Sequence, residues 1–108
     1  MILFKNTSGQ KAFIYVWDAT AEAPKTGDAG NITANLSKDG GAATQTDDTN
    51  PTEIDATNMK GIYCFNLTQS ETNADTIVIV PTSSTSDITI EPLLINTTRQ
   101  LYMWVRTA

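Results

Sequence analysis

Histidine is absent from all 108 residues. Its imidazole is the side chain that most readily moves a proton near neutral pH, so general acid–base catalysis lacks its usual instrument. Cysteine occurs once, at Cys64. A single thiol makes neither an internal disulfide nor a cysteine-based zinc site. Between Tyr63 and Phe65, with no cationic or basic partner in view, Cys64 reads as a small core hydrophobe. Cations are scarce too: seven Lys and Arg against twelve Asp and Glu give a net charge of −5. A protein that grips phosphates needs clustered cations to displace counterions, so nucleic acid and anionic membrane surfaces are poor partners. No apolar run approaches the roughly 20 residues of a spanning helix. The opening Met1-Ile2-Leu3-Phe4-Lys5-Asn6-Thr7 lacks the basic start and long apolar stretch of a signal peptide. Synthesis in a reducing cytoplasm without export is the expectation. The Asn-X-Ser/Thr triplets at Asn6, Asn31, Asn35, Asn66 and Asn96 then read as chance in a chain rich in Thr and Asn.

What is present points to β-structure. Hydrophobic residues make up 40% of a chain long enough for one domain with its own core. Thr is abundant while Leu, Glu and Lys are sparse, a balance that suits pleated sheets better than helices. Lys11–Asp18 is the strongest strand, with Phe13, Tyr15 and Trp17 on one face and Ala12, Ile14 and Val16 on the other. Both faces are apolar, which calls for cover on both sides. Asn31–Lys38 alternates cleanly, placing Ile32, Ala34 and Leu36 inward. Asp39-Gly40-Gly41 supplies the positive-φ residues of a tight hairpin turn into a weak strand near Ala42–Thr46.

Thr52–Asp55 reads as a short edge strand, and Gly61–Thr68 as a core strand presenting Tyr63, Phe65 and Leu67. Thr68 and Glu71 are spaced as a capping box for one helical turn. Asp75–Val80 is an unbroken apolar strand stopped by Pro81, and Ile88–Ile95 is a further strand that Pro92 marks as an edge or a bulge. The sum is an all-β fold: a single antiparallel β-sandwich of immunoglobulin-like kind with Greek-key connections.

Carboxylates offer the only candidate chemistry. Asp47, Asp48, Glu53 and Asp55 contain the makings of a glycosidase-type pair, and Asp47, Asp48, Asn50 and Asp55 the hard oxygen donors of a calcium loop. A solvated acidic turn explains them more simply. No enzymatic activity, cofactor or metal is expected. The aromatics are more telling. Trp17 reads as core, and the Tyr63 hydroxyl as a tie that pins a corner. In Arg99–Thr107, Leu101, Met103 and Val105 fill one side and leave Tyr102, Trp104 and Arg106 outward, a set typical of protein interfaces. Ile2, Leu3 and Phe4 are likewise costly to leave in water, at about 1.5–3 kcal/mol for each large side chain. These six residues are the candidate protein interface.

The chain also carries a pattern. Asp18-Ala19-Thr20 and Pro24-Lys25-Thr26-Gly27 precede the block from Asn31 to Gly41. Thr52-Glu53-Ile54, Gly61-Ile62-Tyr63-Cys64-Phe65-Asn66-Leu67-Thr68 and Glu71-Thr72-Asn73-Ala74-Asp75 follow in order. This arrangement, over roughly Lys11 to Thr98, resembles small immunoglobulin-like domains of tailed-bacteriophage virion structural proteins. The resemblance implies a non-enzymatic role in capsid decoration (cement), neck or tail. It implies partners among other virion proteins, whether major capsid, portal, neck or tail subunits, and a homo-oligomer or symmetric array within the virion. Residues 1–98 would form the immunoglobulin-like domain and residues 99–108 a strand or extension for assembly. The alternative is a carbohydrate-binding or host-adhesion module of a tail fibre, using Trp17, Trp104 or the Thr- and Asn-rich loops.

Overall fold

The computed structural model describes residues 1–99. Among these residues ten strands follow one another: β1 Ile2–Phe4, β2 Gln10–Asp18, β3 Ala23–Pro24, β4 Ile32–Lys38, β5 Thr44–Gln45, β6 Thr52–Asp55, β7 Met59–Leu67, β8 Thr76–Ser83, β9 Ile88–Ile90 and β10 Leu93–Thr98. They form two five-stranded sheets. The first has the order β1-β10-β8-β4-β5; the second runs β3-β2-β7-β6, with β9 also paired to β2.

Alternation decides which residues the sheets bury. Ile32, Ala34 and Leu36 of β4 face Tyr63, Phe65 and Leu67 of β7 across a core completed by Ile77, Ile79 and Ile95. On β2 the small face turns inward, so Ala12, Ile14 and Val16 are buried while Phe13 and Tyr15 are each 47% exposed. Cross-strand neighbours explain the choice. Ala12 lies opposite Phe65 and Ile14 opposite Tyr63, so the core is already filled by β7's rings. A one-residue slip would bring β2's own aromatics into that space, which close packing does not allow. Trp17 therefore corrects the sequence expectation: it is half-buried on the outer face, its ring centroid 6.2 Å from that of Tyr15. Cys64 is buried as expected, but on that outer layer, between its pairing partners Phe13 and Thr52.

Three expectations about strands change. The sandwich is not wholly antiparallel, because β1 pairs in parallel with β10 and makes the first sheet mixed. Pro81 does not stop β8; it sits inside the strand, opposite Ala34. The backbone of Thr76 points toward β4, where its C=O accepts from the Asp39 N–H at 2.8 Å, so odd-numbered residues of β8 point toward β10. Pairing with β10 ends at Ile79, and the N–H that proline lacks has no partner to lose. Finally, Ile88–Ile95 is two strands. The break at Glu91-Pro92 carries the chain from β9 in the second sheet to β10 in the first.

Gly61 fixes one corner. Its φ is +84°, and a Cβ there would lie 2.9 Å from Pro24 Cβ, 2.9 Å from Tyr15 Cε1 and 3.0 Å from the Val16 carbonyl oxygen. Here β3 takes over from β7 as the neighbour of β2. Gly61→Ala is expected to lower stability by about 2–3 kcal/mol through strain and overlap together, read as a shift of the urea midpoint.

Candidate functional site

The acidic loop is occupied with holding the fold. Asp48 Oδ2 accepts from the Asn66 N–H at 2.7 Å, capping the edge of β7 beyond β6. Asn50 Nδ2 donates to the Ile32 carbonyl at 2.8 Å. The Asp55 carboxylate takes the N–H groups of Asn58 and Thr57 at 3.0 and 2.9 Å, and these bonds hold its pKa below the usual carboxylate range. Glu53 Oε1 accepts from the Gly27 N–H at 3.1 Å, while its Oε2 is buried without a partner. No group of three or more His, Cys, Asp or Glu gathers as a potential metal site among the described residues. The carboxylates set out as a catalytic pair or a calcium loop are thus spread over separate turns and edges.

The turns behave similarly. Asp39 and Gly40 both have positive φ, 50° and 76°, and the Gly41 N–H donates to the Lys38 carbonyl at 2.9 Å, so the hairpin turn is of type I′. The Asp39 carboxylate then accepts from the N–H groups of Asp75 and Thr76, at 3.0 and 2.9 Å, clamping the turn to the start of β8. Thr68 and Glu71 exchange the two reciprocal bonds of a capping box, at 2.9 and 3.2 Å. The Tyr63 hydroxyl is a tie, donating to the Lys25 carbonyl at 2.8 Å and accepting from the Asp28 N–H at 3.2 Å. Burial pushes its pKa up.

Asp28 was not singled out by its sequence, yet it centres a buried cluster. It is 1% exposed and its carboxylate accepts from Ser83 Oγ and Thr85 Oγ1, each at 2.6 Å, and from Asn31 Nδ2 at 3.1 Å. Burial alone would raise its pKa; the Ser83, Thr85 and Asn31 bonds and the Lys25 charge outweigh that and lower it. The cluster joins the Ala19–Gly30 loop to the end of β8 and is scaffold.

Surface remains as the candidate site. On the outer face of the first sheet, registers place Leu94, Val78 and Ser37 side by side, then Val80, Asn35 and Gln45, with Ile2 beside Asn96 and Phe4 beside Thr98. Thr76, Thr82 and Thr33 complete the rows, and among the described residues every outward strand position of this sheet is uncharged. Ile2 is 71% exposed and Leu94 67% exposed, with Phe4 and Val80 also open to solvent. Of the N-terminal candidates, Ile2 and Phe4 thus stand on this face, whereas Leu3 turns inward and packs against the core. Tyr102, Trp104 and Arg106 lie outside the described residues. The outer face of the second sheet is different, presenting Phe13, Tyr15 and Trp17 with Lys11 and Lys60 at its margins.

Sequence reasoning missed Leu94 and Val80 as surface residues. A signal existed: Thr76-Ile77-Val78-Ile79-Val80 does not alternate, so the strand is apolar on both faces. No protein-family model, curated protein or solved structure matches the chain.

Proposed function

We propose that this chain is a non-enzymatic virion structural protein of a tailed bacteriophage, an immunoglobulin-like sandwich serving in capsid decoration or in the neck or tail. The observation that carries the assembly role is the uncharged outer face of the first sheet. A chain with 18% charged residues and a net charge of −5 places no charged residue at the outward strand positions of this sheet, among the described residues, and exposes Ile2, Phe4, Val80 and Leu94 there. Depletion of charge with exposed large apolar groups is the composition of an interface core. The phage setting rests on the resemblance of the sequence blocks. Partners are other coat subunits, and the acidic remainder of the surface keeps finished particles mutually repelling.

The copy number of the chain in purified particles tests this, by quantitative mass spectrometry against the major coat protein. A number comparable to the coat protein is expected for decoration, and a small ring-like number for neck or tail. Absence from particles overturns the proposal. The outward stripe of Phe13, Tyr15 and Trp17 favours the second reading, a carbohydrate-binding or host-adhesion module of a tail fibre, since aromatic faces stack on sugar rings. Retention on a glycan column that Tyr15→Ala removes would support that reading instead.

A further inference from the structure

The second sheet is unfinished along one edge. β2 is paired on one side with β7 from Gln10 to Tyr15, but on the other side only with β9, and only from Val16 to Asp18. The Ala19 N–H donates to the Asp87 carbonyl at 2.9 Å on the β9 side, whereas the Val16 carbonyl accepts from the Lys25 N–H at 2.9 Å on the opposite side. Backbone groups alternate along a strand, so Lys11, Phe13 and Tyr15 turn theirs toward the open edge. Among the described residues no strand takes them up. This edge has an unusual setting, with the core on its inner side and the exposed rings of Phe13 and Tyr15 on its outer side. A strand that completed it would need apolar residues on both faces. The other strands that end a sheet are shorter, among them the polar Thr44–Gln45, the bulged Thr52–Asp55 and the three-residue apolar Ile2–Phe4.

The sequence beyond residue 99 carries a pattern of that kind. In Leu101-Tyr102-Met103-Trp104-Val105-Arg106, the apolar Leu101, Met103 and Val105 alternate with Tyr102, Trp104 and Arg106. Its point of departure is also favourable. Thr98 pairs with Phe4, and Phe4 is bridged to Gln10 by the Gln10 side-chain amide at 2.7 Å, so Thr98 lies at the end where β2 begins. Folding back onto its own β2 requires a reversal, yet Thr98-Arg99-Gln100-Leu101 contains none of the Gly, Pro, Asn or Asp that reverse chains. Extended, residues 100–108 reach about 30 Å, enough to leave the domain.

We propose that residues 101–106 of one copy add as a strand to the open edge of β2 in a second copy. Leu101, Met103 and Val105 face that copy's core, and Tyr102 and Trp104 lie beside its Phe13 and Tyr15. Main-chain bonds to Lys11, Phe13 and Tyr15 supply the register. The inference concerns self-assembly and stands apart from any particle.

Hydrogen exchange and sedimentation velocity on the full chain test it. In concentrated solution the amides of Phe13 and Tyr15 are expected to exchange at least about tenfold more slowly than in dilute solution, with a mass of two or more chains. In Met103→Pro, and independently in Trp104→Asp, that protection and the added mass are lost while the core amide of Ile77 stays protected. Three results overturn the proposal: a one-chain mass at every concentration, edge amides protected in the monomer, or variants that assemble like the parent.

Discussion

Asp28→Ala is expected to lower unfolding stability by about 2–3 kcal/mol, the scale of losing hydrogen bonds to a charged acceptor. The carboxylate satisfies three donors at once, from Ser83, Thr85 and Asn31. Without it, the half-buried Ser83 and Thr85 hydroxyls and the exposed Asn31 amide lose their shared acceptor, and the two hydroxyls recover only part of that bonding from water. The loss propagates because the Asp28 N–H also meets the Tyr63 hydroxyl, which in turn holds the Lys25 carbonyl. Urea unfolding at pH 7 reads the effect. Acid gives a second reading of the same site. The folded carboxyl has a lowered pKa, so its contribution is complete above the unfolded value of about 3.9 and is lost as pH falls through the folded value. The parent protein should therefore lose stability on acidification through that window, and Asp28→Ala should lose less. Equal acid sensitivity in the two proteins would place the titration elsewhere.

What was legible in the sequence was whatever local alternation encodes. Ile32, Ala34 and Leu36, and Tyr63, Phe65 and Leu67, are read correctly because polar residues separate them on β4 and because β7 needs a bulky face for the core. The capping box of Thr68 and Glu71 is likewise a short-range signal, and it forms although only a turn surrounds it. Illegible were the features settled by partners distant in sequence. β2 has two apolar faces, and only the rings of Tyr63 and Phe65 decide that its aromatics turn outward. Pro81 is tolerated inside β8 because β10 ends its pairing at Ile79, which no pattern near Pro81 announces. Asp28 sits in a polar loop and is indistinguishable there from a solvated turn residue, since its donors Ser83 and Thr85 come from 55 and 57 positions away. The same holds for the candidate surface. Ile2 and Phe4 were noticeable as apolar residues, but their union with Leu94 and Val80 on one uncharged face depends on the parallel register of β1 with β10.

That face makes the second large effect specific. Leu94→Asp places a carboxylate on the exposed surface beside Val78 and one row from Val80, where the parent sheet carries no charge. Folding should be almost indifferent, because Leu94 is 67% exposed; the expected stability change is within about 0.5 kcal/mol. Association should not be indifferent. A charge driven into a desolvated interface centre without a partner costs about 2 kcal/mol or more, so on the virion role proposed above, binding to phage particles assembled without this chain should fall roughly thirtyfold or further. Thr57→Asp, in the exposed turn between β6 and β7, adds the same charge away from the face and serves as the control. Co-sedimentation across a salt series separates the two causes. Repulsion between an acidic protein and its particle would weaken both variants and fade with salt, since exposed charges are screened within about 8–10 Å. Burial of an unpaired carboxylate would weaken Leu94→Asp alone, and salt would restore little of it. If Leu94→Asp binds like the parent, the uncharged face is not the contact, and Phe13, Tyr15 and Trp17 on the opposite sheet become the surface to alter next.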